Sequence, residues 1–240
     1  MRKIALIFSE AALELVPKEI VSNPMFAEEG RKRHKKPGEI LLDSNKHNLP
    51  MRSLGNPDRR GRPDILHFSL LAAMETLANK AGLLQQISVH TLDGTLLEIS
   101  REARLPRIYN RFCGIMEQVL AGGENQFIKM TGPIPFKDVL SGVMPKLRGK
   151  EHAAPIFFNE SGTRFSLKNF SSLVGKELVR KTDAPLVFIL GCFPHGEFSP
   201  AIRKFLLESG AAEVKFGDDA LPVWTLVSMA INSYELEAGL

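Results

Sequence analysis

Four short apolar runs in the second half of the chain alternate with helical segments. The runs are "FIKM" (127–130), "APIFF" (154–158), "LVFIL" (186–190) and "EVKF" (213–216). The helical segments are "FKDVLSG", "SLKNFSSLVGKEL", "SPAIRKFLLESG" and "LPVWTLVSMAINSYEL". Parallel strands cannot be joined by a tight turn, so a strand, a crossover helix and a further strand form the natural unit of a parallel sheet. The alternation predicts an α/β fold with a mostly parallel sheet. With 240 residues the chain has room for one large domain.

The first half is less regular. "KIALIFS" (3–9) reads as a buried strand, and "EAALELVPKEIVSNPMFAEEG" as a helix interrupted at Pro17. "EILLD" (39–43) reads as a second short strand, and the polar, unperiodic residues 44–62 as a long loop. The clearest helix is "RPDILHFSLLAAMETLANKAG" (62–82). Pro63 suits its first position, Asp64 its first turn and Gly82 its end. "QISVHTLDGTLLEIS" (86–100) carries a hairpin signal at Asp93-Gly94, and residues 107–121 read as a helix ending in Gly122-Gly123. The hairpin and the loop interrupt the alternation. The chain is therefore expected to form a single domain over 1–240 with an insertion at about 44–104 that contributes binding surface.

The net charge is only +4, but it is unevenly placed. Residues 31–62 hold ten Lys/Arg against three Asp/Glu, and residues 101–111 hold four Arg against Glu102, so the remainder is net acidic. Two basic segments on such a body point to one electropositive surface for a polyanion. "RKRHKKPG" (31–38) alone is read equally well as a solvated, disordered loop. "RLPRIYNRF" (104–112) is harder to dismiss, because Arg104, Arg107 and Arg111 fall at helical spacings, with Pro106 placed to start the helix.

Nucleotide-binding glycine motifs, the serine-hydrolase elbow and zinc-ligand spacings are all absent. The histidines are scattered singly, and no metal site is expected. Two distant cysteines, Cys113 and Cys192, point to a reducing, intracellular setting, and no apolar run is long enough to span a membrane. "LGCFPHGEFS" (190–199) follows a predicted strand and contains Gly191 and Gly196, at the strand end where open α/β sheets bind ligands. A simple strand-to-helix turn would also use those glycines. "KFGDDALPVWT" (215–225) repeats the arrangement, so two such loops could wall one pocket for an adenine-like ring; Trp224 reads as core packing. In "RRGRPD" (59–64), Arg62 opposes the dipole of the helix it precedes. An Asp64 that holds its guanidinium in one orientation would give that placement a reason.

Taken in order, "LLDSNKH" (41–47), "RGRPDILHFSLL" (60–71), "LPRIYNRFCGIMEQ" (105–118), "GCFPHGEFS" (191–199) and "ALPVWT" (220–225) resemble a known family over nearly the whole chain. It is the SPOUT-class family of small-subunit ribosome biogenesis methyltransferases, which methylate N1 of a pseudouridine in small-subunit rRNA. The resemblance implies a C-terminal trefoil knot, a homodimer, S-adenosyl-L-methionine as cofactor and cytoplasmic rRNA processing, with small-subunit ribosomal proteins as further partners. An archaeal-type member is expected, because the eukaryotic-style N-terminal extension is lacking. By position, the resemblance implies cofactor contacts from Gly191, Gly196, Phe216, Gly217, Asp218, Asp219, Ala220 and Leu221. It implies rRNA contacts from Arg62, Arg104, Arg107 and Arg111, with Arg62 and Asp64 as the catalytic pair and Asp64 orienting Arg62. Cys192 stands where the family commonly has a second small residue, and "KFGDDA" is an unusual version of the second loop. The rival reading is a non-catalytic rRNA-binding assembly factor with the same fold.

Overall fold

The computed structural model describes residues 1–144, 154–180 and 182–240. In chain order its elements are β1 (Ile4–Ala11), α1 (Pro24–Arg33), α2 (Ser44–Met51), α3 (Pro63–Met74), α4 (Leu77–Lys80), β2 (Leu84–Thr91), β3 (Leu96–Ile99), α5 (Tyr109–Leu120) and β4 (Ile128–Thr131). They continue with α6 (Phe136–Val143), β5 (Ile156–Phe165), α7 (Leu167–Leu178), β6 (Leu186–Gly191), α8 (Pro200–Glu208), β7 (Ala212–Phe216) and α9 (Val223–Ala238). A seven-stranded sheet has the order β4-β3-β2-β1-β6-β5-β7. The pairs among β2, β1, β6, β5 and β7 are parallel, and β3 and β4 add an antiparallel edge. The expected mostly parallel α/β sheet is therefore present.

β1 lies at the middle of the sheet, and all eight of its residues are buried. A strand covered on both faces must be apolar throughout, which is why "IALIF" carries no alternation. Successive side chains still point to opposite faces. Ile4, Leu6 and Phe8 enter one core with residues of α3, α5, α7 and α9. Ala5 and Ile7 enter the other, with Phe136, Val139, Leu140 and Leu206 from α6 and α8.

The first half corrects several expectations. The helix expected from residue 10 is confined to α1, because the apolar residues before it serve two different cores. Leu13 packs into the main core, whereas Val16 and Ile20 join a satellite cluster with Phe26, Ile40, Leu42, Met51 and Leu54. Each such burial is worth roughly 1.5–3 kcal/mol, and the small cluster contributes to ordering this region. "EILLD" forms no strand; a 3-10 turn at Pro37–Glu39 precedes one isolated bridge, Leu41 to Leu15. Residues 44–62 are not a featureless loop either, since they hold α2 and a 3-10 turn at Pro57–Arg59. Asp43 caps α2 through Asn45 N–H at 3.0 Å, and His47 Nδ1 accepts from Asp43 N–H at 3.0 Å while its Nε2 meets Glu29 Oε2 at 2.9 Å.

The helix from Pro63 breaks after Met74 and restarts at α4, capped by Thr76. The hairpin at Asp93-Gly94 is formed, and it continues the main sheet because β2 pairs in parallel with β1. Pro106 does not start a helix: α5 begins at Tyr109. The stretch before it is tied down instead, with the Pro106 carbonyl 2.7 Å from His67 Nε2 and Leu105 packed against the core. Arg107 therefore precedes the helix and Arg111 lies in its first turn, so the arginines are spread along the chain rather than stacked on one helix face.

Candidate active site

A cleft opens at the C-terminal ends of β6 and β7, on either side of β5. β6 ends at Gly191 and β7 at Phe216, so each strand delivers its glycine-containing loop to the same edge of the sheet. Between them β5 bulges. Phe158 and Thr163 both register with Val214, and the four residues between them leave the ladder. Gly162 permits this, since a Cβ there would lie 2.7 Å from backbone atoms of Val214. The bulge brings Asn159 and Glu160 into the cleft.

Both glycine-containing loops line this cleft. Phe158, Phe216, Leu221 and Leu226 supply an apolar lining, and Glu160, His195, Lys215, Asp218 and Asp219 are the polar and charged residues around it. Phe158 and Phe216 stack with centroids 5.9 Å apart. Of the eight residues expected at a cofactor, Gly191, Gly196, Phe216, Asp218, Asp219, Ala220 and Leu221 all line this cleft, and Gly217 lies between two of them at φ +66°. Asp218 pairs with Arg164 at 3.0 Å. Cys192 turns away into the core, fully buried, and burial pushes its thiol pKa up. Its N–H donates to the Ser9 carbonyl at 2.8 Å, which keeps the start of the loop zipped to β1.

A second cleft adjoins the first. It is lined by Ser44, Asn48, Arg52, Asp58, Arg60 and Arg62, and it shares Pro194 and His195 with the first. Arg62 donates from Nε and Nη2 to the two carboxylate oxygens of Asp64, both at 2.8 Å. Those bonds raise the guanidinium pKa against the opposing effect of desolvation. The Arg62 backbone N–H donates to the Ala12 carbonyl at 2.9 Å, which fixes the residue at the mouth of α3. Arg60 is held in the same way, by a forked pair with Glu14 at 2.8 and 2.5 Å.

Arg104, Arg107 and Arg111 are exposed. Arg107 meets Glu75 at 3.1 Å, with side chains 81% and 58% accessible, an ion pair worth little in water and easily exchanged for a phosphate. Arg104 and Arg111 have no ion-pair partner among the described residues. The arginine stretch is linked to the second cleft by Tyr109, whose hydroxyl donates to Asp43 at 2.8 Å beside the start of α2. Burial raises the phenol's pKa, so the donor stays protonated.

Sequence reasoning missed Asn159 and Glu160, which lie past the predicted strand at 154–158 and reach the cleft only through the β5 bulge. It also missed Ser44, Asn48 and Arg52, because α2 has no apolar periodicity.

The sequence model of the EMG1/NEP1 methyltransferase family matches residues 6–235. The chain belongs to that family. The ribosomal RNA small subunit methyltransferase Nep1 of Pyrobaculum aerophilum is 37% identical over 98% of this chain and 99% of its own. The Thermococcus kodakarensis Nep1 is 34% identical over 98% and 99%. Among solved structures, Archaeoglobus fulgidus Nep1 bound to S-adenosylhomocysteine superposes with a TM-score of 0.79 at 31% identity, covering 100% of both chains. No described helix of this EMG1/NEP1 chain is long and apolar enough to cross a membrane.

Proposed function

We propose that the chain is an S-adenosylmethionine-dependent methyltransferase that methylates N1 of a pseudouridine in small-subunit rRNA. The observation that carries this reading is the wall formed by Pro194 and His195, one face of which lines the glycine-loop cleft while the other lines the Arg62 cleft. A donor and an acceptor held in the two clefts would meet across that wall, and holding two reactants in place supplies much of the rate of a bimolecular transfer. The S-adenosylhomocysteine in the A. fulgidus relative and the rRNA named for the curated relatives support the two assignments.

The first cleft fits the cofactor. Apolar walls and backbone exposed at Gly191 and Gly196 suit an adenine ring, while Glu160, Asp218 and Asp219 suit a cationic group. The residues that would hold it are Gly191, Gly196 and Phe216 to Leu221. S-adenosylmethionine supplies an electrophilic methyl group on a sulfonium. The chain's own residues act on the nucleobase. Pseudouridine is linked to ribose through carbon, so it presents a ring N–H that uridine lacks. Transfer forms the N1–methyl bond as the sulfonium S–methyl bond breaks, the N1 proton passes to water, and Arg62 is placed to stabilise the negative charge that develops on the ring. Both oxygens of Asp64 are engaged by Arg62, which makes Asp64 the orienting partner rather than the proton acceptor. The nucleobase would be flipped out of an RNA loop, as RNA-modifying enzymes require.

The C-terminal trefoil knot and the homodimer belong to the same proposal. Phe68 of α3, half exposed, lies edge-on to Trp224 of α9 at 5.5 Å, and this apolar pair supports a partner subunit on that face. An rRNA substrate and two buried free cysteines support a cytoplasmic site of action.

The deciding assay offers the protein paired hairpins, one with uridine and one with pseudouridine, together with radiolabelled S-adenosylmethionine. Label on the pseudouridine hairpin alone is expected, from a species of twice the chain mass by light scattering. Equal labelling of both hairpins would refute N1-pseudouridine specificity. Absence of cofactor binding by calorimetry, with RNA binding intact, would favour a non-catalytic assembly factor.

The arginines give a separate prediction. Arg104→Ala, Arg107→Ala and Arg111→Ala each weaken RNA binding and lower the log–log salt slope by about 1, without changing cofactor affinity. Three unchanged slopes would mean that these side chains hold no phosphates.

A further inference from the structure

We propose that Arg59 is a positioning residue, holding the wall between the two clefts in the shape that binds the methyl donor. The inference rests on the assignment of the first cleft to S-adenosylmethionine. Arg59 ends the 3-10 turn at Pro57–Arg59, in the segment that lines the Arg62 cleft, yet its side chain reaches the opposite wall. Its guanidinium carbon lies 3.9 Å from the centroid of the Phe193 ring. Nη1 donates to the Glu197 carbonyl at 2.6 Å, and Nη2 lies 3.5 Å from Glu10 Oε2. The same Glu10 oxygen accepts the Ser199 N–H at 2.9 Å. One side chain therefore grips the loop at its start and near its end, and through Glu10 it is linked to the residue that precedes α8.

Two features of the backbone fit this role. Glu10, next to the last residue of β1, has φ +51°, a left-handed conformation that is costly for a residue with a Cβ. That cost is maintained where the carboxylate joins Arg59 to Ser199. Gly196 turns the loop at φ +83°, and a Cβ there would lie 3.5 Å from Arg59 Nη1, so the guanidinium lies against the turn itself. Phe193, the ring under the guanidinium, lines the first cleft and packs edge-on against Phe198 at 5.8 Å. Arg59 and Glu10 are 25% and 11% exposed, so water screens the clamp only weakly. None of these contacts joins a hydrophobic cluster to another. They all converge on the short loop between β6 and α8, so the clamp acts on the shape of the binding wall more than on global stability.

Lysine cannot reproduce the clamp, because it lacks the planar fork that meets a ring, a carbonyl and a carboxylate together. S-adenosylhomocysteine binding is measured by calorimetry for the wild type, Arg59→Met, Arg59→Lys, Phe193→Leu and Leu221→Arg, with steady-state methyl transfer and thermal melts alongside. Arg59→Met is expected to weaken binding about tenfold or more, as loss of hydrogen bonds from a charged donor does, with Arg59→Lys intermediate. The KM for S-adenosylmethionine should rise while kcat at saturating donor stays near wild type, and affinities are compared at a temperature where the melts show every variant folded. The losses from Arg59→Met and Phe193→Leu should combine to less than their product in the double variant, because the two side chains share one contact. Wild-type affinity in Arg59→Met, beside lost affinity in Leu221→Arg, would overturn the inference and leave the cleft assignment standing. Wild-type affinity in Leu221→Arg would remove the cleft assignment and the inference together. If Arg59→Met does not fold, Arg59→Lys and Phe193→Leu carry the comparison, and wild-type affinity in both would overturn it.

Discussion

Replacing Arg62 by alanine is expected to lower methyl transfer to a pseudouridine hairpin by about 10²–10³-fold, the cost of removing one preorganised donor from a site of developing charge. The reasoning is geometric. The guanidinium lines the second cleft, its backbone N–H is fixed to Ala12, and its fork is locked by two 2.8 Å bonds to Asp64. A donor fixed before the reaction needs no reorganisation during it, so its loss falls on kcat more than on binding. Arg62→Lys should recover little, because a point charge cannot make the forked pair with Asp64. Asp64→Asn should fall between the two, since it keeps the guanidinium charge but loosens its orientation. S-adenosylhomocysteine affinity should be unchanged in all three. A kcat within a few-fold of wild type in Arg62→Ala would remove Arg62 from the chemistry and leave it, at most, as an RNA contact.

Arg62 and Asp64 were legible because their partnership is local: two residues apart, at a helix mouth, with an electrostatic oddity that needed a partner. The strands were legible for a similar reason. β1 and β6 are buried on both faces and are written as continuous apolar runs. The two glycine loops followed from the ends of those runs. What stayed hidden depends on distant pairing. α2 is held by Asp43 and by a His47–Glu29 contact rather than by an apolar stripe, so its sequence looks like loop. Asn159 and Glu160 enter the cleft through a register shift between β5 and β7, which no window of β5 alone records. Arg59 is one of ten cations in its stretch, and its partners lie at opposite ends of the chain, at Glu10 and at 193–197. The start of α5 was misplaced because Pro106 suits a helix start on local grounds, whereas the contact of its carbonyl with His67 holds it outside one.

The second large effect is expected at Glu117, a residue with no part in either cleft. Its carboxylate is 1% exposed on α5 and accepts from Arg33 Nη2 at 2.6 Å, Lys35 Nζ at 2.5 Å and the Leu41 N–H at 3.0 Å. One buried anion thus ties the basic end of α1 and the segment leading to α2 onto the helix that carries Arg111. The segment "RKRHKKPG" is therefore no free loop: Arg31–Arg33 form the last turn of α1, and Arg33 and Lys35 are anchored. Glu117→Ala leaves the buried Leu41 N–H without its acceptor and strands two partly buried cations, a loss of about 3 kcal/mol once their access to water is discounted. At roughly 2–4 °C per kcal/mol for a domain of this size, the melting temperature should fall by about 6–12 °C. Glu117→Gln keeps an acceptor for Leu41 but no charge, so it should lose less than Glu117→Ala and separate the two contributions. Both variants release the basic turn from α5, and RNA affinity should drop even at temperatures where the fold is intact. An unchanged melting temperature in Glu117→Ala would mean that Arg33 and Lys35 are satisfied by solvent, and that the satellite core orders this region without its buried anion.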